Sequence, residues 1–169
     1  MSIDDEIVDR YGRGMLFPLI PIAPGAVVRR AMLIGEDLQS ELNSPEGDDA
    51  WEERIGKLLA DLEHFVTSEE IHCKYLFLLS PASECVWEVR SVRDDPSIRV
   101  LGLFAARDVL IATNFAKRAE LGAWESLAWK KVKLIARSVW RKIFPAYQPM
   151  TFINIHQLVS GAVDGKYVK

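Results

Sequence analysis

Apolar residues recur every three or four positions in two long stretches of the chain. In the first stretch they are Trp51, Ile55, Leu58, Leu59, Leu62 and Phe65. In the second they are Ala128, Val132, Ile135, Ala136, Val139 and Ile143. This spacing is the apolar stripe of an amphipathic helix, so we predict helices over 49–66 and 123–144. Asp48 or Asp49 is expected to cap the start of the first helix.

Between these two stretches the pattern changes to that of extended chain. The segments "CVWEVRSV", "IRVLGLFA" and "VLIATNF" are rich in β-branched and aromatic residues, and "RDDPS" and "ARD" join them. We therefore predict a three-stranded antiparallel meander over 85–92, 98–105 and 109–115. Gly102, in mid-strand, indicates a bend or bulge. The predicted fold is α+β, with a small curved antiparallel sheet of at least three strands packed with N-terminal and C-terminal helices.

The two ends of the chain are less regular. Residues 1–50 include the proline-broken "FPLIPIAPG", and "AVVRRAMLIGEDLQSEL" after it fits a short helix or a strand. "KYLFLLSP" is equally open between the two, and "FINIHQLVSGA" suggests one further short helix. We divide the chain into an irregular N-terminal extension packed on the core (1–50), an α+β domain (51–145) and a C-terminal extension (146–169).

Charge is distributed very unevenly along the chain. The net charge is −3, yet residues 1–70 hold 16 acidic and 6 basic side chains, while 117–142 hold 2 acidic and 8 basic ones. Such asymmetry indicates that one region meets a charged partner, or that the two regions neutralise each other. A cationic ridge is expected on the second helix, formed by Lys130, Lys133, Arg137 and Arg141. We also expect part of 36–70 to lie near this ridge and shield it.

Several classes of protein do not fit the sequence. The apolar run near the N-terminus is broken by prolines and follows acidic residues, unlike a signal peptide, and no run is long enough to span a membrane. We expect a cytoplasmic protein without a membrane contact. Cys73 and Cys85 lack the spacing of a zinc site and are expected to be free thiols. Walker, GxGxxG, HExxH and GxSxG motifs are all missing, so no metal, nucleotide or other cofactor is expected.

The order of elements resembles a known family. An amphipathic helix is followed by "WEVRSV", "SIRVLGLF" and "DVLIATNFAKR", and then by a helix rich in tryptophan and lysine. This order is similar to that of the RelE/ParE superfamily of bacterial toxins, and within it to the HigB-like, phage-derived branch. The resemblance covers about residues 55–145. It implies a curved antiparallel sheet with helices on one side, whose concave face grips messenger RNA in the ribosome.

The resemblance also implies a set of functional residues. Arg90 matches the arginine of the "W-E-x-R" strand, Arg99 that of the "R-V" strand, and Lys117 with Arg118 the basic pair that ends the third strand. In active members such cations support attack of a ribose 2′-hydroxyl on the adjacent phosphate. Arg99, Lys117 and Arg118 are thus the candidate catalytic cations, with His156 the candidate for proton transfer. Arg90 and the four residues of the ridge are expected to bind RNA.

A non-catalytic reading stays open beside this one. Residues Glu88 and Arg90 share one side of their strand and could simply satisfy each other across the sheet. The tryptophans at 87, 124, 129 and 140 are expected to be core or interface anchors. The alternative function is therefore a phage-derived protein-interaction module on the same fold, whose acidic N-terminal segment and tryptophan-bearing helix bind a protein partner, antitoxin-like or other. The acidic pI and the missing proton shuttle favour it, whereas the basic ridge favours RNA or the ribosome.

Overall fold

A single mixed sheet forms the centre of the molecule, with helices on both of its faces. The computed structural model describes all 169 residues. Its helices are α1 (Ile3–Gly12), α2 (Glu36–Asn43), α3 (Asp49–Thr67), α4 (Arg118–Leu121) and α5 (Leu127–Ile143), with short 3₁₀ turns at Ala82–Glu84 and Ile155–Gln157. Its strands are β1 (Leu16–Pro18), β2 (Ala31–Gly35), β3 (Leu76–Leu78), β4 (Trp87–Ser91), β5 (Ile98–Ala106) and β6 (Val109–Lys117).

The sheet is larger than the sequence predicts. The order β1-β2-β6-β5-β4-β3 contains the predicted meander β4-β5-β6, which is confirmed. Three further strands extend it to six, and β2 pairs with β6 in parallel, so the sheet is neither small nor purely antiparallel. β2 and β3 lie in segments whose pattern fitted either a helix or a strand, and β1 lies at the start of the proline-broken segment. β1 and β3 have only three residues each, too few to show a period of two.

Both predicted long helices are present. The Asp48 side chain caps α3 by accepting a hydrogen bond from the Trp51 N–H at 2.9 Å. Helix α5 begins four residues later than predicted, at Leu127, with Ser126 as its cap. Its buried residues are Trp129, Lys133, Ala136, Trp140 and Ile143, whereas Ile135 is 39% exposed. The apolar face of α5 is therefore rotated from the predicted stripe, because two tryptophans dominate its packing.

Alternate residues of β5 lie in two separate cores. Val100 and Phe104 pack in the core that holds α3, while Leu101 and Leu103 pack in the core that holds α5. Since neighbouring side chains along a strand point to opposite faces, the acidic α3 and the basic α5 lie on opposite sides of the sheet. Helices on both faces differ from the expected arrangement with helices on one side. Because α3 and α5 lie on opposite faces, the expectation that residues 36–70 shield the ridge is wrong. The acidic partner of the ridge is instead Glu84.

Gly102 lies at a register shift between β5 and β6, as its mid-strand position indicates. A Cβ atom there would approach the carbonyl oxygen of Ile111 to 2.6 Å. Only glycine accommodates this close approach without moving the neighbouring strand. The central hairpin therefore depends on this residue for its shape.

The N-terminal and C-terminal segments both pack against the rest of the fold. The Arg10 side chain of α1 donates to the carbonyl of Ile143 at 2.8 Å, and β1 and β2 extend the sheet. At the other end the hydroxyl of Tyr167 donates to the Ile71 carbonyl, and Val168 bridges to Leu78 beside β3. The division of the chain at residues 50 and 145 stays a prediction. No helix combines the length and apolar character needed to cross a membrane.

Candidate functional site

A cavity of about 260 Å³ opens where β3, β4 and β5 meet the start of α5. Its charged lining consists of Arg90, Arg99, Arg118, Lys169 and Glu88, and its aromatic lining of Phe77, Trp124 and Trp129. We call it the arginine cavity. Four cationic side chains face one carboxylate, which leaves an excess of positive charge. An anionic ligand would therefore be favoured at this position.

Strand register brings the arginines together. Arg90 on β4 lies directly opposite Arg99 on β5, and Glu88 is two residues from Arg90 on the same face. Arg118 follows β6, and its main-chain N–H donates to the Ser97 carbonyl at 2.8 Å, beside the start of β5. Guanidinium groups from β4, from β5 and from the residue directly after β6 thus converge at one end of the meander.

Glu88 is buried at the base of these cations. Its Oε1 atom accepts a hydrogen bond from Nε of Arg90 at 2.7 Å. Its Oε2 atom lies 3.5 Å from Nε of Arg99 and has no hydrogen-bond partner. The indole N–H of Trp129 is likewise buried without a partner. Buried polar atoms are nearly always paired in folded proteins, so these two atoms, closed to solvent beside the cavity, are an exception that calls for a partner.

Burial also affects the guanidinium of Arg99. Desolvation lowers its pKa, the nearby Glu88 carboxylate opposes this effect, and Arg90 and Arg118 lower the pKa further. A guanidinium nevertheless stays charged in proteins. Arg99 is therefore a desolvated cation whose unfavourable surroundings an incoming anion would relieve.

The aromatic wall of the cavity contacts the same cations. Trp124 and Trp129 meet edge to face with ring centroids 4.9 Å apart. The Arg118 guanidinium lies 5.6 Å from the Trp129 ring, and the Lys169 ammonium 5.5 Å from the Trp124 ring. Trp129 is buried as expected of a core anchor, while Trp124 is partly exposed at the cavity. The wall thus offers aromatic surface next to positive charge.

Two of the predicted catalytic residues lie elsewhere. The Lys117 ammonium is 4.6 Å from the Trp51 ring, on the α3 side, because consecutive residues at the end of β6 diverge. The main-chain carbonyl of His156 accepts from Arg107 at the β5–β6 turn, and its Nε2 lies 2.9 Å from Asp164. That turn is at the opposite end of the hairpin from Arg99. Arg90, Arg99 and Arg118 are therefore brought together without Lys117 or His156.

The predicted ridge on α5 is not one continuous surface. Lys133 is buried, and its ammonium donates to the Ser80 carbonyl at 2.8 Å and lies 3.7 Å from Glu84. Arg137 lies 3.8 Å from the same Glu84 carboxylate. Lys130 and Arg141 are exposed. The ridge is thus divided between a buried ion-pair cluster and free surface cations.

Sequence reasoning missed Glu88 as a functional group and missed Lys169 entirely. A signal existed for Glu88, since it is a glutamate between apolar residues of a buried strand and is two residues from Arg90. No sequence signal pointed to Lys169, because its position in the cavity depends on how the C-terminal segment returns to β3. The structure contains no group of three or more His, Cys, Asp or Glu residues placed to hold a metal ion.

Comparisons with known proteins add no relative: no family model, no curated protein and no solved structure matches this chain.

Proposed function

We propose that the protein binds RNA through the arginine cavity, as the RelE/HigB-like pattern of its strands implies, and that it acts as a toxin-type protein on messenger RNA or the ribosome. The observation that carries this proposal is the convergence of Arg90, Arg99 and Arg118 around Glu88, whose Oε2 has no hydrogen-bond partner, beside two tryptophans. Phosphate, base and ribose each have a matching group there.

Each part of a nucleotide corresponds to a feature of the cavity. Guanidinium groups bind phosphate oxygens with charge-assisted hydrogen bonds. Unstacked bases of single-stranded RNA pack on aromatic side chains such as Trp124. Oε2 of Glu88 and the Trp129 N–H are closed to solvent, so a ribose 2′-hydroxyl would donate to the first, and an acceptor on the ligand would pair with the second, after the side chains that cover them move. The contact to the 2′-hydroxyl would favour RNA over DNA.

The same arrangement suits cleavage of the RNA backbone. In the proposed reaction Glu88 accepts the proton of the 2′-hydroxyl as its oxygen attacks the adjacent phosphorus. The bond from phosphorus to the 5′-oxygen breaks, a 2′,3′-cyclic phosphate forms, and the departing oxygen takes a proton from water. Arg99 and Arg118 stabilise the charge that develops on phosphorus. Glu88 takes the role that the sequence suggested for His156.

A different observation favours the alternative, a protein-interaction module. Leu127 is 83% exposed and Leu134, seven residues later on α5, is 56% exposed. Two large apolar side chains on one helix surface suit contact with a protein partner, antitoxin-like or other. This surface is separate from the arginine cavity, so the two functions predict different critical residues.

Binding to a fluorescein-labelled single-stranded RNA, followed by anisotropy, tests the proposal. We expect affinity to fall steeply with salt, because bound cations release counterions from the RNA. The double variant Arg99→Gln, Arg118→Gln should bind at least about ten-fold more weakly. The control Lys131→Gln, Lys142→Gln removes the same charge from exposed positions of α5 that do not line the cavity. Equal losses in both variants would contradict a specific site.

Cleavage is tested separately from binding. We expect expression of the wild-type chain to inhibit growth and to produce cut messenger RNA, and Glu88→Gln to abolish both while RNA binding persists. If wild-type expression is harmless and no messenger is cut, the cleavage proposal fails. If Leu127→Ser, Leu134→Ser instead removes the only detectable interaction of the chain, the alternative function is correct.

A further inference from the structure

A second cavity lies against the arginine cavity, on the far side of the β4 edge. It measures about 370 Å³, and Arg90 lines both cavities. The rest of its lining includes His64, Lys74, Tyr75 and Arg93, with Asp61 as its one carboxylate. We call it the edge cavity. Positive charge therefore continues from one face of the sheet around its edge to the other.

The edge cavity exists because β3 covers only part of β4. The two strands pair from Leu76–Val89 to Leu78–Trp87, and one more hydrogen bond joins the Arg90 N–H to the Tyr75 carbonyl at 2.8 Å. Beyond that point the chain before β3 turns away, and Val92 is 55% exposed. No strand pairs with this side of β4 beyond Arg90, so a ligand that extends past Arg90 meets no strand there.

The cations of the edge cavity have few partners within the protein. Lys74 is exposed and forms no ion pair, while Arg93 has only Asp61 at 3.4 Å and its side chain is 86% exposed. Both groups are therefore free to contact phosphate. An ammonium and a guanidinium without strong internal partners bind a polyanion with little loss of existing contacts.

The remaining wall is aromatic and rigid. His64 and Tyr75 meet edge to face with ring centroids 4.8 Å apart. The Tyr75 hydroxyl donates to the Asp61 carbonyl at 2.7 Å and accepts from the Phe65 N–H at 3.2 Å. These bonds hold the largely buried Tyr75 ring against α3, and the exposed His64 ring that packs on it offers the surface for a base. The edge cavity thus repeats the combination of cation and aromatic ring found in the arginine cavity.

We infer that the edge cavity is a second nucleotide subsite, so that a single RNA strand occupies both cavities and crosses the edge of β4 at Arg90. This inference rests on the proposed function and specifies its substrate as single-stranded RNA of at least three nucleotides, two in the arginine cavity and one in the edge cavity. The backbone must bend around a sheet edge to reach both faces, which a stacked duplex does not do. Lys74 and Arg93 bind the phosphate that lies beyond the arginine cavity.

Anisotropy with two labelled RNAs tests the inference on the full chain. One probe is a 5′-phosphorylated dinucleotide, short enough to be held by the arginine cavity alone, and the other is a ten-nucleotide single strand. We expect Lys74→Gln, Arg93→Gln to weaken binding of the ten-nucleotide RNA about ten-fold and to reduce the salt slope by about one. Binding of the dinucleotide should not change. A duplex of the same length should bind more weakly than the single strand.

The variants of the arginine cavity separate the two proposals. If Arg99→Gln, Arg118→Gln weakens both probes while Lys74→Gln, Arg93→Gln weakens neither, the second subsite is overturned and the proposed function stands. If the wild-type chain binds neither probe, both are overturned. Should the control Lys131→Gln, Lys142→Gln lose as much affinity for the long probe as Lys74→Gln, Arg93→Gln, the effect is one of net charge and the inference fails.

Discussion

Arginine side chains on the two faces of the sheet have different kinds of partner. On the α3 side the guanidinium of Arg30 donates to the main-chain carbonyls of Phe65, Ser68 and Ser160 at 2.7–2.9 Å. On the α5 side, Arg90 and Arg99 face a carboxylate and an open cavity instead. Both sets of side chains are largely removed from solvent, so burial alone does not distinguish them.

The two sets of arginines differ in whether the buried polar atoms around them have hydrogen-bond partners. Around Arg30 the fold itself supplies the acceptors, and the guanidinium ties the end of α3 to the C-terminal segment. Around Glu88 the fold leaves one carboxylate oxygen and one indole N–H without partners. A buried arginine whose guanidinium is fully paired with carbonyls is therefore structural, whereas several cations beside an open cavity suit a ligand. Arg54 on the α3 side donates to carbonyls yet keeps an unpaired Nη1, so an unpaired atom is not enough by itself to mark a ligand site.

The largest expected effect is that of Arg30→Met. The three carbonyls that Arg30 pairs would lose their donor in a buried environment, so we expect the free energy of unfolding to fall by about 3 kcal/mol. Urea denaturation measures this change. Arg29→Met is the matched control, since Arg29 is more exposed and its partner Glu69 is 82% exposed. A loss under about 1 kcal/mol is expected there, and equal losses would contradict the structural role of Arg30.

Gly161→Ala tests the same region without removing a charge. Gly161 has a φ of +74°, and a Cβ atom there would overlap the Glu69 carbonyl oxygen next to Arg30. We expect a loss of about 2 kcal/mol in the free energy of unfolding, because strain and displaced backbone add together. Gly12→Ala, at the end of α1 with nothing nearby, should change it by less than about 1 kcal/mol. A stable Gly161→Ala protein would show that the segment tied by Arg30 is free to move.

On the α5 side we expect stability and binding to separate. Arg99→Gln with Arg118→Gln should weaken RNA binding at least about ten-fold, equivalent to about 1.4 kcal/mol. The free energy of unfolding should change by less, because the variant relieves repulsion among three guanidiniums while Glu88 keeps its bond to Arg90. Thermal denaturation beside the binding assay checks this. If the variant unfolds, these arginines resemble Arg30 and the contrast between the faces is wrong.

The smallest expected effect is a pH dependence from His64 on the α3 side. Burial, and then the charges of Arg30 and Arg93, lower the pKa of His64 below its ordinary value of 6.5. As the pH falls below about 6.5 the unfolded chain binds a proton before the folded chain does, so stability decreases. In His64→Gln this part of the decrease should vanish. Urea denaturation at pH 7.5 and 5.5 measures it, and an identical pH dependence in both proteins would contradict a lowered pKa of His64 in the folded chain.

Local pattern was enough to predict α3, α5 and the central meander. One side of α3 is buried, so Ile55, Leu58 and Leu62 had to recur at helical spacing. The period of two also placed Glu88 and Arg90 on one side of β4, which is half of the candidate site. The register of β4 against β5, which places Arg99 opposite Arg90, was not predicted and is known only from the structure.

The remaining features depend on contacts between distant parts of the chain. The parallel pairing of β2 with β6 joins residues 31–34 to 109–112, and nothing in either segment specifies the other. Lys133 is expected to be exposed from its charge, yet Ser80 and Glu84 pair with it in the buried face of α5. Lys117 and Arg118, adjacent in sequence, contact tryptophans on opposite sides of the sheet.

The sequence by itself determined which segments are helix or strand wherever one side of a segment is buried, because periodic burial requires periodic apolar residues. It also determined that cations are concentrated near the ends of β4, β5 and β6. Only the tertiary structure decided which of those cations share a cavity, because that depends on strand register, on the direction in which the chain leaves β6, and on the return of the C-terminal segment to β3. Those are long-range contacts, and local residue pattern carries no information about them.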